Sequence, residues 1–256
     1  MNKSQLKSYL DQLVIRFEQP AFIESDPISV PHLYTKNQDI EIAGLFASVF
    51  AWGQRITIIN KSKELMHRMD NAPYEFILRH TESDLLKLNS FVHRTFQSDD
   101  LLYFIAFLQY HYSAHPSLES AFVLNGKFGS VEESLNYFNS YFFSLPFAPL
   151  RTKKHISQPI SGSTCKRLCM YLRWMVRSAK NGVDFGIWNN IPVKDLKIPL
   201  DVHVHRVAVS LGLLTGDQKN WKTVLELTDQ LKNFDPLDPV KYDFALFNLG
   251  VNKQPL

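Results

Sequence analysis

The sequence predicts an all-α protein, and three observations carry that reading. Apolar residues recur at i, i+3, i+4, i+7 through most of the 256-residue chain. Alternating strand patterns are short and scarce, and helix caps and stops bracket many of the periodic stretches. The length suits one large domain or two compact lobes, either with a sizeable core.

Taken in order, "EIAGLFASVFAWG" and "ITIINKSKELMHRM" read as consecutive helices broken near Gly53. "SDDLLYFIAFLQYHYSA" sets Leu101, Phe104, Ile105 and Leu108 on one face behind acidic capping candidates. "SVEESLNYFNSYFFSL" opens with Ser130 and Glu133 in capping-box spacing and presents Leu135, Phe138 and Phe142. Pro146, Pro149 and Pro159 then make an irregular connection. A boundary near 150 is expected, with an N-terminal helical region over 1–150 and a second region over 151–256, the lobes sharing a cleft.

In that second region, "STCKRLCMYLRWMVRSAKNG" is a strong helix with Leu168, Tyr171, Leu172 and Met175 on its apolar face and Gly182 past its end. Residues 183–200 are turn-rich. "LDVHVHRVAVSLGLL" starts a helix at the natural cap Asp201, sets Val204, Val207, Ala208 and Leu211 at i, i+3, i+4, i+7, and stops at Gly212. "NWKTVLELTDQLKNF" and "DPVKYDFALFNLG" follow; in the last, Asp238 is the expected cap, Pro239 lies in the first turn and Gly250 is the expected terminator.

The two cysteines, Cys165 and Cys169, are four apart on a helix, which suits neither a disulfide framework nor a four-ligand zinc site. The N-terminus "MNKSQLKSYLDQLVIRF" lacks the apolar run of a signal peptide, and no stretch approaches the roughly 20 apolar residues that span a bilayer. A cytoplasmic, monomeric protein without a membrane partner is expected.

Net charge is only +3, but its distribution is uneven. No Asp or Glu occurs from Ser134 to Val183, whereas Arg151, Lys153, Lys154, Lys166, Arg167, Arg173, Arg177 and Lys180 do. A one-signed stretch points to an anionic partner, with phosphate backbone the commonest candidate; a solvated basic face is the plainer alternative.

Lys166 is oddly placed for a helical lysine. If Ser161 or Ser163 caps its helix, the amine sits in the first turn, where the macrodipole opposes positive charge and Arg167 adds repulsion. Both effects ease the neutral form, which is a nucleophile able to form a Schiff base. Simple contact with phosphate explains the same residue. Asp201, as a cap, is a carboxylate held by backbone N–H groups, and either capping alone or stabilisation of a developing cation accounts for it. Asp201, His203 and His205 also spell D-x-H-x-H, but residues two apart on a helix point about 200° apart, which argues against one shared metal ion.

These segments carry a resemblance. "SGSTCKRLCMYL" followed by "IPLDVHVHRVAVSLGLL" resembles the helix-hairpin-helix DNA glycosylase superfamily, which contains endonuclease III and the 8-oxoguanine glycosylases. Gly162 and Lys166 keep the spacing from hairpin glycine to Schiff-base lysine. Leu200, Asp201, His203, Val204, Arg206, Val207, Leu211 and Gly212 match the aspartate motif. "GLFASVFAWGQRITIINKSKELM" is similar to the family's early helix pair, with Gln54 at the DNA-facing turn, and "YDFALFNLG" to its closing helix. The match departs from the pattern where "SGSTCK" carries one glycine in place of two.

The resemblance implies a two-lobed helical glycosylase fold acting on double-stranded DNA that contains a damaged base, such as 8-oxoguanine. Lys166 and Asp201 are the implied catalytic pair of a DNA N-glycosylase with AP-lyase activity. Gln54, Lys153, Lys154, Gly162, Ser163, Thr164, Arg167, His203 and Arg206 are the implied DNA contacts, and Trp52 the implied stacking residue. No metal or cofactor is implied; in particular no cysteine follows Gly250, so the iron–sulfur cluster of the endonuclease III branch is not expected. The alternative is a non-catalytic DNA- or RNA-binding protein of the same fold.

Overall fold

The computed structural model describes residues 1–252. They form eleven α-helices: α1 (Lys3–Phe17), α2 (Asn37–Phe50), α3 (Arg55–Arg68), α4 (Pro73–Arg79), α5 (Glu82–Leu86), α6 (Ser98–Tyr112), α7 (Val131–Phe142), α8 (Lys166–Val176), α9 (Val202–Ser210), α10 (Trp221–Lys232) and α11 (Asp243–Asn252). Short 3-10 turns link them. No strand occurs among the described residues, where the one isolated bridge joins His93 and Phe96. The all-α expectation is met.

The chain divides into two compact units, although not at 150. One holds residues 23–129 and 133–157; the other holds residues 1–22 and 130–132 and runs on from Gln158. The first helix explains the difference. Leu6, Leu10, Leu13 and Val14 form the buried stripe of α1, and that helix packs on α11. Asp11 accepts a hydrogen bond from the Tyr242 hydroxyl at 2.9 Å and pairs with Lys241 at 3.2 Å. Charges every few residues had masked this stripe in the sequence.

In the unit beginning at residue 23, α2 is central: every residue from Ile40 to Phe50 is buried. Its neighbours are α3 and α4, and α4 also meets α6. An aromatic chain fills the interior, with ring centroids at 5.0 Å for Phe50 and Phe96, 5.3 Å for Phe96 and Phe104, and 4.7 Å for Phe104 and Phe142. Asp100, sealed in this core, is hydrogen-bonded, as burial demands. Asp100 accepts from Gln97 N–H at 2.9 Å and from the Thr152 hydroxyl at 2.7 Å. Gln97, not one of the acids, is therefore the cap of α6, and Asp100 completes its capping box.

The other unit is held by a buried charge network. Arg173 and Arg177, both on the C-terminal side of α8, face four acids brought from distant segments. Arg177 meets Asp184 at 2.6 Å, Glu18 at 2.8 Å and Asp238 at 2.8 Å. Arg173 meets Asp184 at 3.3 Å and also pairs with Asp243. Burial alone lowers the Arg177 pKa, but Asp184 and Asp238 overcome it and hold the guanidinium above its ordinary value. These two arginines were counted in the basic stretch, and the structure removes them from any phosphate-facing surface.

Three expected helix ends differ. α8 stops at Val176, and Gly182 instead closes a 3-10 turn over Ala179–Asn181. Asp238 makes no side-chain cap bond, because its carboxylate is committed to Arg177. Gly250 lies inside α11. A Cβ there would stand 2.8 Å from the His203 Cβ and 3.0 Å from the His203 carbonyl oxygen, so glycine is what lets α11 approach α9.

Two outcomes follow from this packing. Arg177→Ala strands buried carboxylates and is expected to cost about 3–5 kcal/mol in a urea titration; a loss below about 1 kcal/mol contradicts the network. His111 donates from Nε2 to the Ser117 carbonyl at 2.9 Å and accepts from the Tyr141 hydroxyl at 3.2 Å. Burial, reinforced by His115, lowers its pKa to about 4. The unfolded chain protonates His111 below about pH 6.5 while the folded protein resists until about pH 4. Stability should therefore fall as pH drops through that window, by up to roughly 1.4 kcal/mol per unit, and His111→Gln should flatten the dependence.

Candidate functional site

The segment entering α8 is built from tight turns. Pro159–Ser161 forms a 3-10 turn that ends at Gly162, where φ is 78° and the N–H reaches the Pro159 carbonyl at 2.7 Å. That left-handed conformation suits glycine. The Gly162 carbonyl in turn accepts from Trp221 N–H at 3.2 Å, tying the turn to the start of α10. Ser161 was a cap candidate but donates back to the Gln158 carbonyl at 2.7 Å. Ser163, the other candidate, accepts from Cys165 N–H at 3.1 Å. The residue at the cap is Cys165, which is buried, left-handed at φ 49°, and supplies no side-chain cap bond.

Lys166 is consequently the first residue of α8, where the helix field opposes its charge, and no acid occupies that turn. Its side chain is half-buried, as are those of Ser163, Thr164 and Arg167. Burial also draws the Arg167 pKa below its ordinary value. Lys166 lies in the first turn as the sequence predicts, with Cys165 and not a serine at the cap.

Asp201 is the N-cap of α9. Its Oδ1 accepts from His203 N–H at 2.8 Å and Val204 N–H at 2.9 Å, which fixes the carboxylate while its second oxygen takes no part in the cap. His203 and His205 are packing residues. His205 is 5% exposed, and His203 lies against Gly250. The His203 Nδ1 and His205 Nε2 are buried without hydrogen-bond partners. Arg206 donates to the Gly250 carbonyl at 2.6 Å, neutralising a carbonyl near the C-terminal end of α11. Among the described residues, no group of three His, Cys, Asp or Glu side chains is placed to hold a metal ion.

Lys166, Arg167, the Gly162 turn, Asp201, His203 and Arg206 thus belong to one compact unit, and Gln54, Lys153 and Lys154 to the other. Gln54 is exposed at the N-cap of α3 and makes no side-chain cap bond there. Lys153 and Lys154 are exposed in a 3-10 turn over Leu150–His155. Trp52 is half-buried, with the Arg94 guanidinium 4.3 Å from its ring centroid. The sequence reading missed Lys197, a half-buried amine whose pKa is lowered by burial and then by Lys232; nothing in its local pattern marks it.

A family model described as "Protein of unknown function (DUF2400)" matches residues 26–252. The chain belongs to the DUF2400 family. The DUF2400 match takes in Gln54, Lys166 and Asp201 and leaves α1 outside it. No curated protein and no solved structure matches the chain.

The two roles of Asp201 separate by substitution. Asp201→Ala, which removes both cap bonds, should cost about 1 kcal/mol in denaturant unfolding, whereas Asp201→Asn, which keeps an accepting oxygen, should cost well under half of that. Equal losses would show that charge, not the cap bonds, carries the stabilisation.

Proposed function

We propose that this DUF2400 protein is a DNA glycosylase with AP-lyase activity, built on a helix-hairpin-helix element formed by the Gly162 turn and α8. One observation carries the reading. Within a single compact unit, an amine is held against the field of α8 at Lys166, and a carboxylate is locked by two backbone N–H groups at Asp201. These are the nucleophile and charge-stabilising group that base excision through a Schiff base requires.

The chemistry follows from those groups. A damaged nucleotide leaves the stack at a cost of a few kcal/mol, lowest where pairing is already weak. The Lys166 amine attacks C1′ of the deoxyribose while Asp201 stabilises positive charge developing on the sugar. The C1′–N bond breaks, its electron pair leaves with the base, and the base takes up the proton released by the amine. Ring opening gives an imine between Nζ and C1′; loss of a 2′ proton then expels the 3′ phosphate. No metal or cofactor enters these steps. Exposed Lys153, Lys154 and Lys180 supply charge for backbone phosphates.

Binding without catalysis is the second reading, favoured by a hairpin whose one glycine is Gly162. Borohydride separates the two, because it reduces an imine to a stable amine. Across duplexes each carrying one modified base, the wild-type protein should become covalently attached to at least one. Lys166→Ala should abolish the adduct while Lys197→Ala retains it. Asp201→Asn should slow base release about a hundredfold. Binding with no adduct on any lesion contradicts the lyase and favours the second reading.

A further inference from the structure

The turn His93–Phe96 holds an arginine in the left-handed region of backbone conformation. His93 and Phe96 exchange both backbone hydrogen bonds at 2.9 Å, which leaves Arg94 and Thr95 at the tip. Arg94 has φ 56°, a left-handed conformation that glycine or asparagine adopts at less cost. The turn cannot relax to release it. His93 and Phe96 are 2% and 0% exposed; the His93 Nε2 donates to the Phe50 carbonyl at 3.1 Å, and Arg151 grips the Thr95 carbonyl at 3.1 Å.

The side chain is as constrained as its backbone. Its guanidinium lies 4.3 Å from the Trp52 ring centroid, a cation–π placement. It also passes directly over Gly53, where a Cβ would stand 2.6 Å from Nη1 and where φ is 108°. Arg94 is nonetheless an exposed residue, and among the described residues it has no carboxylate within 4 Å and no hydrogen-bond acceptor. The nearby Lys61 and Arg68 both spend their charge on Glu64. Arg151, which holds the turn, stands two and three residues from the exposed Lys153 and Lys154.

A flat guanidinium fixed against an aromatic ring, with its N–H groups unclaimed, is pre-organised for a planar pair of acceptor oxygens. We infer that Arg94 is a phosphate-binding residue for the DNA backbone, positioned by Trp52 and Gly53. Strain retained at an exposed cation is accounted for by a ligand, because a structural turn would use a residue suited to positive φ. The inference rests on DNA as the partner but not on Lys166 being a nucleophile.

Arg94→Gly tests it, since glycine keeps the turn and removes the cation. Thermal stability should stay level or rise. Affinity for a short undamaged duplex should weaken about tenfold, and the slope of log affinity against log salt should shrink by about one. Arg94→Lys should restore the slope without restoring full affinity. Unchanged binding in Arg94→Gly overturns the inference, as does a fall in its melting temperature, which would make Arg94 structural. A loss confined to one base sequence also overturns it, because phosphate contacts weaken all sequences alike. Failure of the wild-type protein to bind any duplex overturns both proposals. Failure of borohydride trapping alongside an intact Arg94 effect overturns only the glycosylase reading.

Discussion

The unit carrying Lys166 and Asp201 depends on two arginines with nowhere else to go. Arg173 and Arg177 are nearly sealed from solvent, so each must be matched by carboxylates brought from elsewhere in the chain. Glu18 arrives just past the end of α1, Asp184 from the loop after α8, and Asp238 and Asp243 from either side of the 3-10 turn that opens α11. This network joins α1, α8 and α11 at one point. Breaking it leaves buried charge unmatched, which is far costlier than losing an exposed ion pair. Once α11 is set, Gly250 and the Arg206 bond to its carbonyl set α9 beside it.

The two ends of α8 therefore treat cations in opposite ways. At the C-terminal end the helix field and the acids both favour Arg173 and Arg177. At the N-terminal end Lys166 follows a left-handed Cys165, with no acidic residue in the first turn and an opposing field. A fold optimised only for stability would reverse that arrangement. The contrast sets Lys166 apart from the arginines at the other end of the helix. Arg94 is a second case of the same kind in the other unit, with strain in the backbone in place of an unfavourable field.

What the sequence revealed depended on the range of the interaction. The Asp201 cap was legible because it needs only the N–H groups two and three residues ahead, and the burial of Val204, Val207 and Ala208 followed from helical spacing. The cap of α8 was not legible, since propensity favours Ser161 or Ser163 and gives no sign that a buried cysteine adopts φ 49°. The basic stretch misled for a related reason. Its local run of cations is real, but the acids that cancel Arg173 and Arg177 lie before residue 134 or after residue 183. Gly250 read as a helix stop because a close contact between α9 and α11 has no linear signature. The strain at Arg94 was not legible, as it exists only once the turn has closed.

The account rests most heavily on the identity of one atom, the Nζ that bonds to sugar carbon. The direct measurement is peptide mapping by mass spectrometry of the protein reduced with borohydride on a duplex containing a single abasic site. The account predicts that the sugar fragment is carried by Lys166 alone. An adduct on Lys197, on the N-terminal amine or spread across surface lysines would contradict it.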